Sequence, residues 1–141
     1  RGGLADLNPD EAIRVYEVNT VGPMRVTQAL IDNLKSGNRK LIMNMSSGLG
    51  SIAGAGRGGS MGYRESKAAL NMFTRSIAGE FSGDGFTCIA MSPGWVRTDM
   101  GGPNANLSPA ESVSGMLAVL AAATPEDSGR YFDYKGDELD W

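Results

Sequence analysis

Apolar positions along the chain alternate between stretches of helical period and short, nearly unbroken apolar runs. The first helical stretch, NPDEAIRVYEVNTVGPMRVTQALIDNL, has Asn8 as cap, Pro9 at the first helical position and Asp10 and Glu11 in the first turn. A helix over 9–35 is predicted. Its apolar residues, from Ile13 and Val15 through Met24 to Ile31 and Leu34, spread over more than one face, which implies burial on two sides. The segment SGN at 36–38 closes it. RKLIMNMSS then reads as a short buried strand of the parallel, doubly covered type.

From about Ser60, YRESKAALNMFTRSIAGEF shows helical spacing through Ala69, Met72, Phe73, Ile77 and Phe81 and stops at Gly83, predicting a helix over 60–82. GFTCIAMSPG is a second buried strand. In SPAES, Ser108 caps, Pro109 starts and Glu111 completes a capping box, so PAESVSGMLAVLAAA is a third helix. GRYFDYKG reads as a last strand after the TPEDSG turn. Helix and strand in strict alternation imply an α/β parallel sheet with right-handed crossovers. Three strands are fewer than the usual four to six, and the chain begins on a helix. The predicted architecture is therefore one domain over 1–141, the C-terminal portion of a Rossmann-type doubly wound parallel sheet.

Composition narrows the function. The 141 residues, 41% hydrophobic, suffice for one core. A net charge of −3 arises from interspersed acids and bases without a basic stripe, which argues against nucleic acid as a partner. Cys88 is the only cysteine and sits in the apolar run FTCIAM, so neither a disulfide framework nor a cysteine metal cluster is available. There is no histidine, which removes the Ser/His/Asp triad. No apolar stretch approaches the roughly 20 residues of a membrane span, and RGGLADLNPDE has no signal-peptide core, so a soluble cytoplasmic protein is expected.

The glycine-rich loop carries seven glycines between Gly48 and Gly62 and begins as Gly48-x-Gly50-x-x-x-Gly54, the look of a pyrophosphate cradle. A cradle needs its last glycine to open a helix at once, whereas these glycines continue and each penalises helix by about 1 kcal/mol relative to alanine. A flexible loop over a site is the better reading; anion binding by the loop itself is the alternative.

What the loop joins is more informative. Ser46 and Ser47 stand at the carboxyl end of one strand. Tyr63 and Lys67 are spaced i, i+4 at the start of the next helix, on one face. An ammonium beside a phenol favours phenolate, lowering the tyrosine from its ordinary value of about 10 and fitting it for proton transfer. Two exposed side chains would show the same spacing. Four residues after Asn19 comes Pro23, which has no N–H for the Asn19 carbonyl, so a kink and a carbonyl able to hold water are predicted there. An ordinary proline kink is the alternative. Pro93 and Gly94 in SPGWVRTDM turn the chain at the end of the second strand, beside Ser47, where open α/β sheets bind ligands; a solvated turn reads alike.

Asn19 in VNTVG, Ser47 in NMSSGLG, Tyr63 to Lys67 as YRESK and Pro93 to Thr98 as PGWVRT, in this order, resemble the short-chain dehydrogenases/reductases. YRESKAALNM, PGWVRTDMGGPNA and SGRYFDYKGDELDW look more narrowly like the carbonyl-reductase branch that includes sniffer and C-factor. The resemblance implies hydride transfer between NAD(P)H and a small-molecule carbonyl or alcohol through a Ser-Tyr-Lys-Asn proton relay. Tyr63 would exchange the proton with the substrate oxygen and Ser47 would hydrogen-bond that oxygen. Lys67 would bind the nicotinamide ribose, and Asn19 would hold a water through its main chain. Pro93, Gly94, Val96 and Thr98 would line the nicotinamide beside Tyr63 and Lys67. NADP is the implied cofactor, with NAD open, and a homodimer through helices 9–35 and 60–82 is implied. A non-catalytic signalling or dimerisation protein on the same scaffold is the alternative.

Two departures stand out. Ser47 and Tyr63 are 16 positions apart, a longer loop than in many members. The glycine cradle, the residue that selects NAD or NADP and the NNAG segment, which precede these motifs in the family, are not in the sequence, so weak cofactor binding by this chain is expected.

Overall fold

The computed structural model describes residues 3–141. Helix α1, Pro9–Tyr16, starts where the side chain of Asn8 accepts hydrogen bonds from the amides of Asp10 and Glu11 at 3.0 and 3.2 Å. Helix α2 is Gly22–Ser36, and between the two lies one π-turn, Glu17–Val21. The single helix predicted over 9–35 is thus interrupted at Asn19. The Gly22 amide donates to the Glu17 carbonyl, five residues back. The Val18 carbonyl therefore loses its usual donor, Gly22, and the Asn19 carbonyl loses its own because Pro23 has no N–H.

Strand β1, Leu41–Met45, leads into a 3₁₀ turn, Gly48–Gly50, and the glycine loop. Helix α3, Tyr63–Glu80, begins three residues later than predicted. It is followed by β2, Thr87–Ser92, then α4, Pro109–Ala122, and β3, Tyr131–Asp133. The strands pair in parallel in the order β1-β2-β3. Asn44 aligns with Ala90, and Ala90 with Tyr131.

The alternation of side chains along the strands divides the core in two. Ile42 and Cys88 pack with Ile77 and Ala78 of α3, with Phe81 just after it, and with Ile31 and Leu34 of α2. On the opposite face Ile89, Met91 and Phe132 pack with Met116 of α4. Strand β2 is buried at all its positions, which is why TCIAMS reads as an unbroken apolar run. Burial pushes the Cys88 thiol up to about 11, keeping it a protonated core group.

The two-sided burial expected of helix 9–35 is not found. Neither α1 nor α2 contains a fully buried residue, and Ile13, Val18 and Val26 are 65, 72 and 59% exposed. Within this chain α2 packs on the core through Ile31 and Leu34. Among the described residues no helix is long and apolar enough to cross a membrane.

Candidate active site

The site assembles at the carboxyl ends of β1 and β2, where a parallel sheet leaves its last carbonyls and the following loops. Ser46 is buried, and its hydroxyl donates to Asn71 Oδ1 of α3 at 2.6 Å. Ser47, one residue on, caps the 3₁₀ turn, and its Oγ accepts from the Leu49 amide at 3.2 Å. Accepting that bond leaves the hydroxyl's own proton for an acceptor outside the turn. This distinguishes the two serines: Ser46 spends its proton inside the protein, and Ser47 keeps it.

Helix α3 brings the next two groups. Tyr63 is its first residue and is half-buried; Lys67, one turn further, is buried. The Lys67 ammonium donates to the Met45 carbonyl at 2.9 Å and lies 5.8 Å from the centre of the Tyr63 ring. Burial lowers the Lys67 ammonium below its ordinary value, because removal from water disfavours the charge. The bond to Met45 uses one of the three ammonium donors. The 3₁₀ turn sits so close to this helix that a Cβ on Gly50 would stand 2.9 Å from Lys67 Cβ. Glycine is required there by space.

The loop's glycines were expected to give slack between Ser47 and Tyr63. Gly56 and Gly58 do meet nothing within 4 Å, whereas Gly50 is a packing residue. Gly58 to Gly62 also spells Gly-x-Ser-x-Gly around Ser60, whose φ is +54°. It lies in a loop rather than after a strand, and the chain has no histidine to serve it as base.

Asn19 joins the site from the π-turn. Its Nδ2 donates to Ser66 Oγ at 3.1 Å, Thr20 Oγ1 donates to the Ser66 carbonyl at 2.8 Å, and Ser66 Oγ donates to the Tyr63 carbonyl at 2.7 Å. Ser66, between Tyr63 and Lys67 in YRESK, is thereby the clasp that holds the π-turn against α3. Sequence reading gave it no role, since its partners lie 46 and 47 positions away.

The turn after β2 closes the site. Ser92 Oγ accepts from the Gly48 amide at 3.0 Å, joining the ends of β1 and β2. The Pro93 carbonyl accepts from Ser112 of α4 at 2.7 Å, Gly94 has φ +77°, and Val96 bridges to Leu107. Thr98 is exposed, with its Oγ1 accepting from the Gly101 amide at 3.2 Å. Lys67 thus ties α3, which carries Tyr63, to the end of β1 just before Ser47, Asn19 is tied to α3 through Ser66, and Pro93, Gly94, Val96 and Thr98 follow the end of β2. A further tyrosine, Tyr131 of β3, is fully buried and donates to the Ser47 carbonyl. No local pattern marks it, because its partner is 84 positions away.

A hydroxyl donor, a phenol and a buried ammonium around one strand end suit proton transfer to an oxygen. Known proteins are similar to this chain in sequence and in fold. The family model described as short chain dehydrogenase matches residues 1–107. C-signal of Myxococcus xanthus is 44% identical over 138 residues, covering 98% of this chain and 83% of that protein. Among solved structures, the carbonyl reductase Sniffer of D. melanogaster superposes with a TM-score of 0.94 at 32% identity. The NADPH-bound carbonyl reductase from chicken fatty liver gives 0.92 at 35%. The matches cover 99% of this chain and 61% of each reductase, so the chain spans about three fifths of their length.

Proposed function

The chain belongs to the short-chain dehydrogenase family, and from that premise we propose that it supplies the proton-relay half of an NADP-dependent carbonyl reductase. The observation that carries this reading is Lys67. From one turn past Tyr63 it reaches the Met45 carbonyl, two residues before Ser47, so one buried side chain joins the tyrosine's helix to the serine's strand end.

In this reading Tyr63 donates its hydroxyl proton to the substrate carbonyl oxygen, or takes it back in the reverse direction. Ser47 directs its remaining O–H to the same oxygen, where negative charge develops. Lys67 places a positive charge one helical turn from Tyr63, 5.8 Å from the centre of its ring. Its remaining donors fit the ribose hydroxyls of a nicotinamide nucleotide, and the turn from Pro93 through Val96 to Thr98 fits the nicotinamide. When bound, the cofactor supplies the hydride to the carbonyl carbon. The Asn19 carbonyl, left without its helical donor, holds a water that returns protons towards Lys67. The NADPH-bound reductase among the structural relatives supports NADP as the cofactor, with NAD open. A small aldehyde, ketone or quinone is the proposed substrate class, and a cytoplasmic homodimer the working form.

NADPH oxidation by the complete natural chain, with a panel of aldehydes, ketones and quinones, tests this. Turnover is expected, and Tyr63→Phe should lower kcat by about 100-fold or more through loss of the general acid. Unchanged turnover in that variant would overturn the mechanism. The likeness to C-signal favours a second reading, a non-catalytic signalling protein on the same scaffold. The presence of Asn19, Ser47, Tyr63 and Lys67 together speaks against it. Absence of turnover across the whole panel would support it.

A further inference from the structure

Tyr131 heads the largest side chains that are fully buried among the described residues. It shares a register row with Ala90 and Asn44, so the three side chains point to one face of the sheet. That face is the one under α3, because Asn44 Nδ2 donates to Thr74 Oγ1 of α3 at 2.9 Å. Ala90, between them, carries only a methyl, which leaves the phenol room to cross β2. The hydroxyl donates to the main-chain carbonyl of Ser47.

That carbonyl is held twice. The Gly50 amide donates to it at 2.7 Å from within the 3₁₀ turn, and Tyr131 donates to it from the third strand. The surrounding groups are paired as well: Asn71 accepts from Ser46 at 2.6 Å and donates to the Gly50 carbonyl at 3.2 Å. Burial raises the Tyr131 hydroxyl above its ordinary value, so it remains a donor throughout the neutral range. Behind the ring, Trp141 stacks on Tyr131 at 5.2 Å between centroids. The Trp141 main-chain oxygen accepts from the Ala53 amide at 2.9 Å, at the start of the glycine loop. Arg75, 5.7 Å above the indole, donates to the Gly129 carbonyl at 2.8 Å and braces the stack from α3.

A phenylalanine would fill the same space, so apolar packing alone does not call for the hydroxyl. Its acceptor is the main chain of the residue whose hydroxyl faces the substrate. Fixing a residue's carbonyl limits rotation of its backbone and hence the direction of its side chain. We propose that Tyr131, backed by Trp141, is a positioning residue that aims Ser47 at the substrate carbonyl. The proposal rests on the role given to Ser47 above.

Tyr131→Phe and Ser47→Ala, singly and together, test it in the complete natural chain, with kcat expressed per NADPH-binding site so that only folded protein is counted. Tyr131→Phe is expected to lower kcat about 10-fold, as a small misplacement of a catalytic group does, with KM for NADPH unchanged. In the Ser47→Ala background the same substitution should change kcat by less than about twofold, since the effect passes through a hydroxyl no longer present. An equal fall in both backgrounds, or none in either while Ser47→Ala is impaired, would overturn the proposal and leave the role of Ser47 standing. Full activity of Ser47→Ala alone would overturn that role and the proposal with it. If Tyr131→Phe does not fold, Trp141→Leu replaces it, with a fall of about threefold that should likewise vanish in the Ser47→Ala background.

Discussion

Gly94 occupies a backbone conformation that side chains rarely adopt, with φ +77°, and a Cβ there would lie 2.7 Å from Leu107 Cδ1 and 3.0 Å from the Tyr134 ring. Gly94→Ala combines left-handed strain with overpacking and is expected to cost about 2 kcal/mol, read as a lower urea midpoint at unchanged slope. Its place after Pro93 made a turn legible from sequence, but the two neighbours that leave no room for a methyl are 13 and 40 positions further on. The same division runs through the site. Tyr63 and Lys67 could be paired by eye because i, i+4 spacing is a local property of a helix. That Lys67 would be buried and turned to the Met45 carbonyl depended on where β1 ends. Ser66 and Tyr131 were silent for that reason: each acts on groups brought near only by folding.

The elements were legible wherever their ends are encoded by caps. Ser108 was predicted to cap α4, and its Oγ accepts from the Glu111 amide at 3.2 Å while Glu111 Oε2 accepts from the Ser108 amide at 2.8 Å. Ser108→Ala should destabilise the protein by about 1 kcal/mol in urea titration. The Glu111 carboxyl is held below its ordinary value, first by the Ser108 hydroxyl and then by the Ser108 amide. A depressed carboxyl stabilises the fold above its unfolded value and loses that contribution as the pH falls through the folded one. Glu111→Gln is therefore expected to flatten the decline in melting temperature between about pH 5 and pH 3, while leaving its slope near pH 8 unchanged. The interruption of helix 9–35 was half legible. Proline at position 23 announced a kink, but a kink and a π-turn differ in which carbonyl the Gly22 amide meets, and Asn19 and Thr20 secure that choice by bonding to Ser66 of another helix.

For the whole molecule, α1 and α3 leave Ile13 and Met72 65 and 67% exposed, with Val18 of the intervening π-turn at 72%. Exposed apolar side chains on two helices that pack together suit a second copy. If the proposed dimer forms through them, Val18→Glu and Met72→Glu should shift the natural chain from dimer to monomer in analytical ultracentrifugation without lowering its melting temperature as a monomer; a native chain already monomeric at high concentration would refute it. The sequence by itself determined the alternation of helix and parallel strand, the caps, the turn after β2 and the Tyr63–Lys67 pair, because each is written in spacings of a few residues. It also prescribed two apolar faces on helix 9–35, since periodicity records which side chains are apolar. Whether those faces are covered was decided only by the tertiary structure, which leaves Ile13, Val18 and Val26 exposed. The tertiary structure likewise decided which serine keeps its proton and what holds it in place, for burial and hydrogen-bond partners are set by groups far apart along the chain.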